Sequence, residues 1–115
     1  MLYISGQCSL PNITHRVYNF FTSKYNEEFD VEVYYCDLTE EGALGFQEKN
    51  GDEFLIHIDY NLTADEHIRT LLHELIHCIQ DIRGMKNDTN REQEAYQLEE
   101  QYFNELKLVT SKVSL

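Results

Sequence analysis

The sequence predicts a small α+β domain: an N-terminal helix, a small three-stranded and mostly antiparallel sheet, and two further helices. Three observations support this fold class. They are an apolar stripe at helical spacing near the N-terminus, two β-rich arms around a glycine turn, and two long helical patterns in the second half. At 115 residues, the chain is long enough for one core, so we expect a single domain over residues 1–115.

The first helix and the first strand are predicted from short patterns. Residues 9–12, Ser-Leu-Pro-Asn, have the composition of a helix start. Residues 31–36 are rich in β-branched and aromatic side chains, which favours a strand. The apolar residues of the helix recur at helical spacing and comprise Ile13, Val17, Phe20 and Phe21.

The two remaining strands are predicted on either side of a tight turn. Residues 44–49 and 53–59 flank Asn-Gly-Asp at 50–52, which is typical of a hairpin. In the second arm, Phe54, Ile56 and Ile58 point to one face, while the residues between them point to the other.

A long helix is predicted from Thr63 to Arg83. Thr63 and Glu66 have the spacing of a capping box, and Gly84 can adopt the left-handed conformation that ends a helix. The apolar positions of this helix predict a broad buried face formed by Ile68, Leu71, Leu72, Leu75, Ile76, Ile79 and Ile82.

The last predicted helix begins near residues 88–90 and runs past Leu106. Its apolar residues fall on one stripe, so we expect it to pack by one side. The stripe consists of Ala95, Leu98, Tyr102, Leu106 and Val109.

The charge of the chain argues against two classes of partner. Its 9 Lys and Arg against 21 Asp and Glu give a formal charge of −12. Such a chain offers no basic stripe for nucleic acid and no attraction to an anionic membrane surface. We therefore expect neither partner, and we read the acidity as solubility or as a preference for basic partners.

The cysteines and the N-terminus favour a cytoplasmic location. Cys8, Cys36 and Cys78 are isolated and odd in number, which indicates free thiols in a reducing compartment. The first eleven residues do not have the pattern of a secretory signal, and no stretch approaches the length of a membrane span.

The motif that carries chemistry lies in the middle of the predicted long helix. Residues 73–77 read His-Glu-Leu-Ile-His, an HExxH motif. Residues four apart lie one above the other on a helix, so both imidazoles can reach one zinc ion. Glu74 lies a further 100° around the helix, where its carboxylate can exchange a proton with a water on that ion. His73 and His77 are therefore the candidate ligands and Glu74 the candidate catalytic residue.

The alternative is that the motif is accidental and that its histidines are structural. Chance would produce the pattern in roughly 3% of shuffled sequences of this composition. The position of the motif in mid-helix, with both histidines bordering the apolar face, argues against chance, because an unpaired buried ring is costly.

The third ligand must come from elsewhere in the chain. Gln80 and Arg83 stand where a metzincin has Gly and His or Asp, which excludes that class. Residues 92–95, Glu-Gln-Glu-Ala, resemble the gluzincin arrangement, in which a second helix supplies a glutamate in an ExxA pattern. This resemblance implies Glu92 as the third zinc ligand and Ala95 as the small residue at the helix contact.

Two alternatives remain open for these glutamates. Glu92 has capping-box spacing from Thr89, which would be a purely local role. Glu94 flanks the Ala95 stripe about as closely as Glu92 does, so periodicity does not separate the two as ligands.

The resemblance extends over roughly residues 54–106. The strand at 56–59, the short loop and the HExxH helix look like the corresponding passage of minigluzincins and of ImmA/IrrE-type peptidases. Those families often have Gly at the position of Ile76 and usually Asp or Asn at that of Tyr96. The second departure removes an expected partner of a ligand histidine, and Asp81, one turn beyond His77, is the candidate replacement.

The resemblance implies a minimal zincin-like metallopeptidase that acts on peptides or proteins. We expect the substrate to lie along the strand at 53–59. Tyr60, Tyr96 and His57 are candidates by type for stabilising the oxyanion, although His57 also fits a surface position on its strand.

Two rival hypotheses belong to other classes. One is a catalytically silent zinc-binding interaction or regulatory module on the same fold, since small domains use metals to support a modest core. The other is a metal-free α+β adaptor with an accidental motif. A structural zinc site normally closes with four ligands, whereas this chain offers three and a well-placed acid, which favours the enzyme.

Overall fold

The computed structural model describes residues 1–8 and 10–113, with side chains as far as Leu108. The α+β class is as predicted, and the two long helices lie where expected. The elements in chain order are β1 Leu2–Gly6, α1 Pro11–Thr22, β2 Asp30–Cys36, β3 Gly45–Asn50, β4 Glu53–Asp59, α2 Ala64–Ile82 and α3 Asp88–Val113.

The sheet differs from the prediction in strand count and in direction. It has four strands in the order β1-β2-β4-β3. Strand β1 pairs parallel to β2, β2 pairs parallel to β4, and β3 pairs antiparallel to β4. The expectation of a mostly antiparallel sheet is therefore wrong. Helix α1 is the crossover that makes β1 and β2 parallel, and the hairpin places β3 outside β4.

This topology also changes which strand lies at the edge. Strand β4 is paired on both sides along its length, so the expectation that a substrate lies along it is wrong. Strand β3 lies at the edge of the sheet on this side, and β1 lies at the opposite edge. Gly45 begins β3 and lies so close to α2 that a Cβ atom there would be 2.7 Å from Thr70 Cγ2.

One face of the sheet and the three helices enclose the core. Alternate residues of β2 and β4 point to the helices, as the burial of the strands shows. Burial of this surface is the main stabilising contribution to the fold. The fully buried apolar side chains include Val17, Phe21, Val33, Ile56, Ile58, Leu71, Leu72 and Leu75.

The ends of the helices follow the sequence signals where these are local. The Glu66 N–H donates to Thr63 Oγ1 at 3.2 Å, and the Thr63 N–H donates to Glu66 Oε1 at 3.0 Å, which confirms the capping box. Gly84 follows α2 with a φ of 74°, as expected for a glycine stop. Of the other predicted positions, Ser9 and the side chain of Val109 lie outside the described residues.

A buried polar cluster joins α1, β2 and the start of α2. The Tyr35 hydroxyl and His67 Nε2 are hydrogen-bonded at 2.5 Å, and Thr14 Oγ1 lies against both groups. His67 is 4% exposed, and burial lowers its pKa from 6.5 to about 4. The ring is therefore neutral in the folded protein near neutral pH, with one nitrogen that donates and one that accepts.

Acid should destabilise the fold through His67. The unfolded chain takes up this proton near pH 6.5 and the folded chain near pH 4, so the contribution is complete above pH 6.5 and is lost as pH falls to about 4. The loss should reach about 3 kcal/mol. Urea unfolding at a series of pH values should give a shallower pH dependence for His67→Phe than for the native chain. Equal slopes would contradict this assignment.

Candidate metal centre

Helix α2 brings the two histidines of the HExxH motif together. The Nε2 atoms of His73 and His77 are 3.2 Å apart, and the rings lie at 82° to each other. Both side chains are nearly buried, with 12% and 11% exposed. The four-residue spacing on a helix thus produces the convergence that the sequence predicts.

Helix α3 places Glu92 against both imidazoles. Glu92 Oε1 lies 2.8 Å from His77 Nε2, and Oε2 lies 3.4 Å from His73 Nε2. One potential ligand atom from each of these three residues lies within 4.8 Å of the other two. Glu92 does not form a capping box with Thr89, because α3 begins at Asp88 and Thr89 already lies inside the helix. At the helix start, the Asn90 N–H donates to Asn87 Oδ1 instead.

Glu94 has a different neighbour. Its Oε1 accepts from Gln80 Nε2 at 3.0 Å, and it does not belong to the group of potential ligands that contains Glu92. Ala95 between the two helices is fully buried, as expected for a small residue at the contact. The geometry therefore favours Glu92 over Glu94, a distinction that periodicity does not provide.

Glu74 is buried beside this group and is 8% exposed. Burial raises its pKa, and the nearby carboxylates of Glu92 and Glu99 act in the same direction, while His73 and His77 oppose the shift. A raised pKa brings a carboxyl closer to the range in which it can both accept and release a proton near neutrality.

The second ring nitrogen of each histidine also has a partner. His77 Nδ1 lies 2.7 Å from Gln80 Oε1, and His73 Nδ1 lies 3.0 Å from Glu99 Oε1. Burial lowers the pKa of His73, but the hydrogen bond to Glu99 and the surrounding carboxylates outweigh it and leave the pKa raised.

Sequence reasoning missed both partners and offered Asp81 instead. Asp81 accepts from Gln47 Nε2 at 2.9 Å and pairs with Arg91 at 2.8 Å. The spacing of Gln80 and of Glu99 from the motif residues is the sequence signal that could have identified them as partners. Gln80 follows His77 by three residues, and Glu99 follows Glu92 by seven, so each lies on the required helix face.

The hydrogen-bond pattern fits a cation at this site. Gln80 Nε2 donates to the Arg91 carbonyl and to Glu94, so Gln80 Oε1 faces His77 and accepts from its Nδ1. Glu99 likewise accepts from His73. In the neutral form of each ring, Nε2 therefore carries a lone pair, and the two lone pairs and the Glu92 carboxylate form three acceptors directed at one point.

The distances also fit zinc. Two ligands about 2.0–2.1 Å from a tetrahedral zinc ion lie about 3.3 Å from each other. The two Nε2 atoms are 3.2 Å apart, Glu92 Oε2 is 3.4 Å from His73 Nε2, and Glu92 Oε1 is 2.8 Å from His77 Nε2, so the three distances lie around this value. Nitrogen and carboxylate donors are the types that zinc takes in three-ligand sites.

A cavity of about 530 Å³ opens over these residues. Leu44 and Gly45 line it from the start of β3, and Tyr96 lines it from α3, where its ring centroid is 4.7 Å from that of His73. The other two candidates for stabilising an oxyanion lie elsewhere. His57 stacks on Phe46 at 4.2 Å on the face of the sheet that the helices leave uncovered. Tyr60 lines a separate small cavity near His67.

The fold and this site together define the class. The structure has the features of a metallopeptidase-type fold. These are two histidines one turn apart, a buried glutamate next to the first of them, an acidic residue from the next helix, and a mixed sheet. The model of the IrrE N-terminal-like peptidase family matches residues 26–112. The chain belongs to this family of zinc metallopeptidases, which also includes regulatory members.

No curated protein and no solved structure shows significant similarity to the chain. Among the described residues, no helix combines the length and the apolar character needed to cross a membrane.

Loss of Gln80 should destabilise the metal-free protein. This side chain is 1% exposed and joins His77 on α2 to the Arg91 carbonyl on α3. Gln80→Met keeps the volume and leaves these groups without partners, which should lower the free energy of unfolding by about 1–3 kcal/mol. Urea unfolding without metal measures the difference. The same substitution at the exposed Gln97 is the control and should have little effect; equal losses at both positions would refute the role of Gln80.

Proposed function

We propose that the chain is a zinc-dependent metallopeptidase with His73, His77 and Glu92 as ligands and Glu74 as the catalytic acid and base. The observation that carries this proposal is the convergence of the two Nε2 atoms and one carboxylate on a single point. Acceptors that face one another with no hydrogen between them are unfavourable when buried, and a cation among them stabilises the arrangement.

The chemistry divides between the metal and the chain. Zinc, when bound, supplies a Lewis acid that polarises a peptide carbonyl and makes water more acidic. Glu74 takes the proton of the attacking water and returns it to the leaving amine. The burial and raised pKa of Glu74 support both steps, because burial disfavours the charged carboxylate and so makes it easier for Glu74 to hold the proton between them. Tyr96, which lines the cavity, is the candidate donor to the oxyanion.

Peptides or proteins are the proposed substrates. Strand β3 lies at the edge of the sheet, and its first residues line the cavity. An extended peptide can pair with such an edge through backbone hydrogen bonds. The approach of Gly45 to Thr70 brings this edge next to α2, one turn before His73. The charge of −12 supports the expectation that nucleic acid is not a partner.

A cytoplasmic location is part of the proposal. Cys8, Cys36 and Cys78 are free thiols, which suits a reducing compartment.

A zinc-binding regulatory module without turnover is the second candidate. The family includes regulatory members, which supports this second candidate. The two functions differ in one result, because such a module binds zinc and leaves every peptide intact.

Glu74→Gln should abolish cleavage and leave zinc bound. The amide keeps the shape of the side chain but does not accept a proton, so turnover of a peptide library should fall by about 100-fold or more. Zinc content is measured on the same sample. Glu41→Gln, at an exposed position, is the control and should retain activity. Undiminished cleavage by Glu74→Gln would remove Glu74 from the mechanism, and cleavage absent from the native zinc-bound chain would favour the regulatory module.

Zinc should stabilise the folded chain. Binding to the folded state alone adds about 2.7 kcal/mol when free zinc is 100 times the dissociation constant. Thermal unfolding with zinc and with excess chelator should show this difference as a higher Tm with zinc. His77→Ala and Glu92→Ala should lose most of the shift, whereas Glu94→Ala should keep it. A shift that survives in Glu92→Ala and is lost in Glu94→Ala would reassign the third ligand.

A further inference from the structure

We propose that Glu99, held in place by Arg69, fixes the ring of His73 in the orientation and tautomer that metal binding needs. The inference rests on the metal site proposed above. It makes Glu99 and Arg69 positioning residues, since neither belongs to the group of potential ligands.

One face of α3 encloses the His73 ring. Glu92, Tyr96 and Glu99 follow each other at intervals of four and three residues, so they lie along one side of the helix. Glu92 Oε2 is 3.4 Å from His73 Nε2, and Glu99 Oε1 is 3.0 Å from His73 Nδ1. The Tyr96 ring lies against the imidazole between them. Helix α3 thus contacts both nitrogens of one histidine.

The contact with Glu99 selects one tautomer. An ionised carboxylate only accepts hydrogen bonds, so the proton of a neutral His73 resides on Nδ1. The lone pair then resides on Nε2, on the side of His77 and Glu92. Without Glu99 the neutral ring is free to place its proton on Nε2, and that form does not bind a metal there.

Arg69 holds the carboxylate in this position. It lies one turn before His73 on α2, and its Nη1 atom is 3.4 Å from Glu99 Oε2. The guanidinium stacks over the Phe103 ring at 4.1 Å and also pairs with Glu100 at 2.9 Å. Both oxygens of Glu99 therefore have partners, and the side chain is 13% exposed, so it has little freedom to turn toward solvent.

Zinc affinity tests the proposal. Competition with a chromophoric chelator should show that Glu99→Ala binds zinc about 10–100-fold more weakly than the native chain. Glu99→Gln, which retains an oxygen acceptor, should restore much of the affinity. Glu100→Ala is the matched control, since it also removes a charge near Arg69 but does not touch His73. It should bind zinc like the native chain; an equal loss in Glu100→Ala would show a general charge effect and overturn the proposal.

The ring tautomer provides a readout that does not depend on metal. Nitrogen-15 NMR of the zinc-free native chain at a pH where His73 is neutral should show its proton on Nδ1, and Glu99→Ala should shift it toward Nε2. His77, which Gln80 holds, should be unchanged. A native His73 with its proton on Nε2, or an unchanged ring in Glu99→Ala, would overturn the proposal. Failure of the native chain to bind zinc would instead contradict the proposed function.

Discussion

The contact between α2 and α3 is the constraint on which the site depends. The proposed ligands His73 and His77 lie on α2 and Glu92 lies on α3, so the three side chains converge only when these helices pack at one separation and one register. Ala95 is fully buried and allows the close approach. Gln80 then sets the register, because its amide bonds to the Arg91 carbonyl, next to Glu92, while its oxygen holds His77. The same side chain thus serves packing and ligand orientation, and a buried amide with all its partners specifies one arrangement.

Local signals account for the parts of the fold and site that the sequence predicts. The capping box, the glycine stop and the hairpin turn each depend on residues within a few positions, and all three occur in the structure. The pairing of His73 with His77 is likewise a property of one helix turn. The choice between Glu92 and Glu94 is not local. It depends on where α3 begins and how it crosses α2, which no helical wheel contains.

Sheet order required information of the same non-local kind. Strand β1 has five residues and little alternation in burial, and its partner β2 lies across a whole helix. The hairpin is recognisable from its turn, and the choice that remains is which of its two arms pairs with β2. The second arm is the more apolar of the two, and it takes that inner place. That single choice decides the edge strand. Because β4 takes the inner place, the chain offers β3 to the cavity, where Gly45 leaves room for the strand to lie against Thr70.

The charges around His73 and His77 give a physical reason for a cation in this fold. Three carboxylates approach the two rings, those of Glu74, Glu92 and Glu99. Burial and the other two carboxylates raise the pKa of Glu74. Arg69 offsets part of this charge from the outer side of Glu99. Like charges gathered at a nearly buried site destabilise a fold unless something compensates them. A divalent ion among the lone pairs of His73, His77 and Glu92 would neutralise the cluster from within, so affinity for metal and stability of the helix contact should rise together.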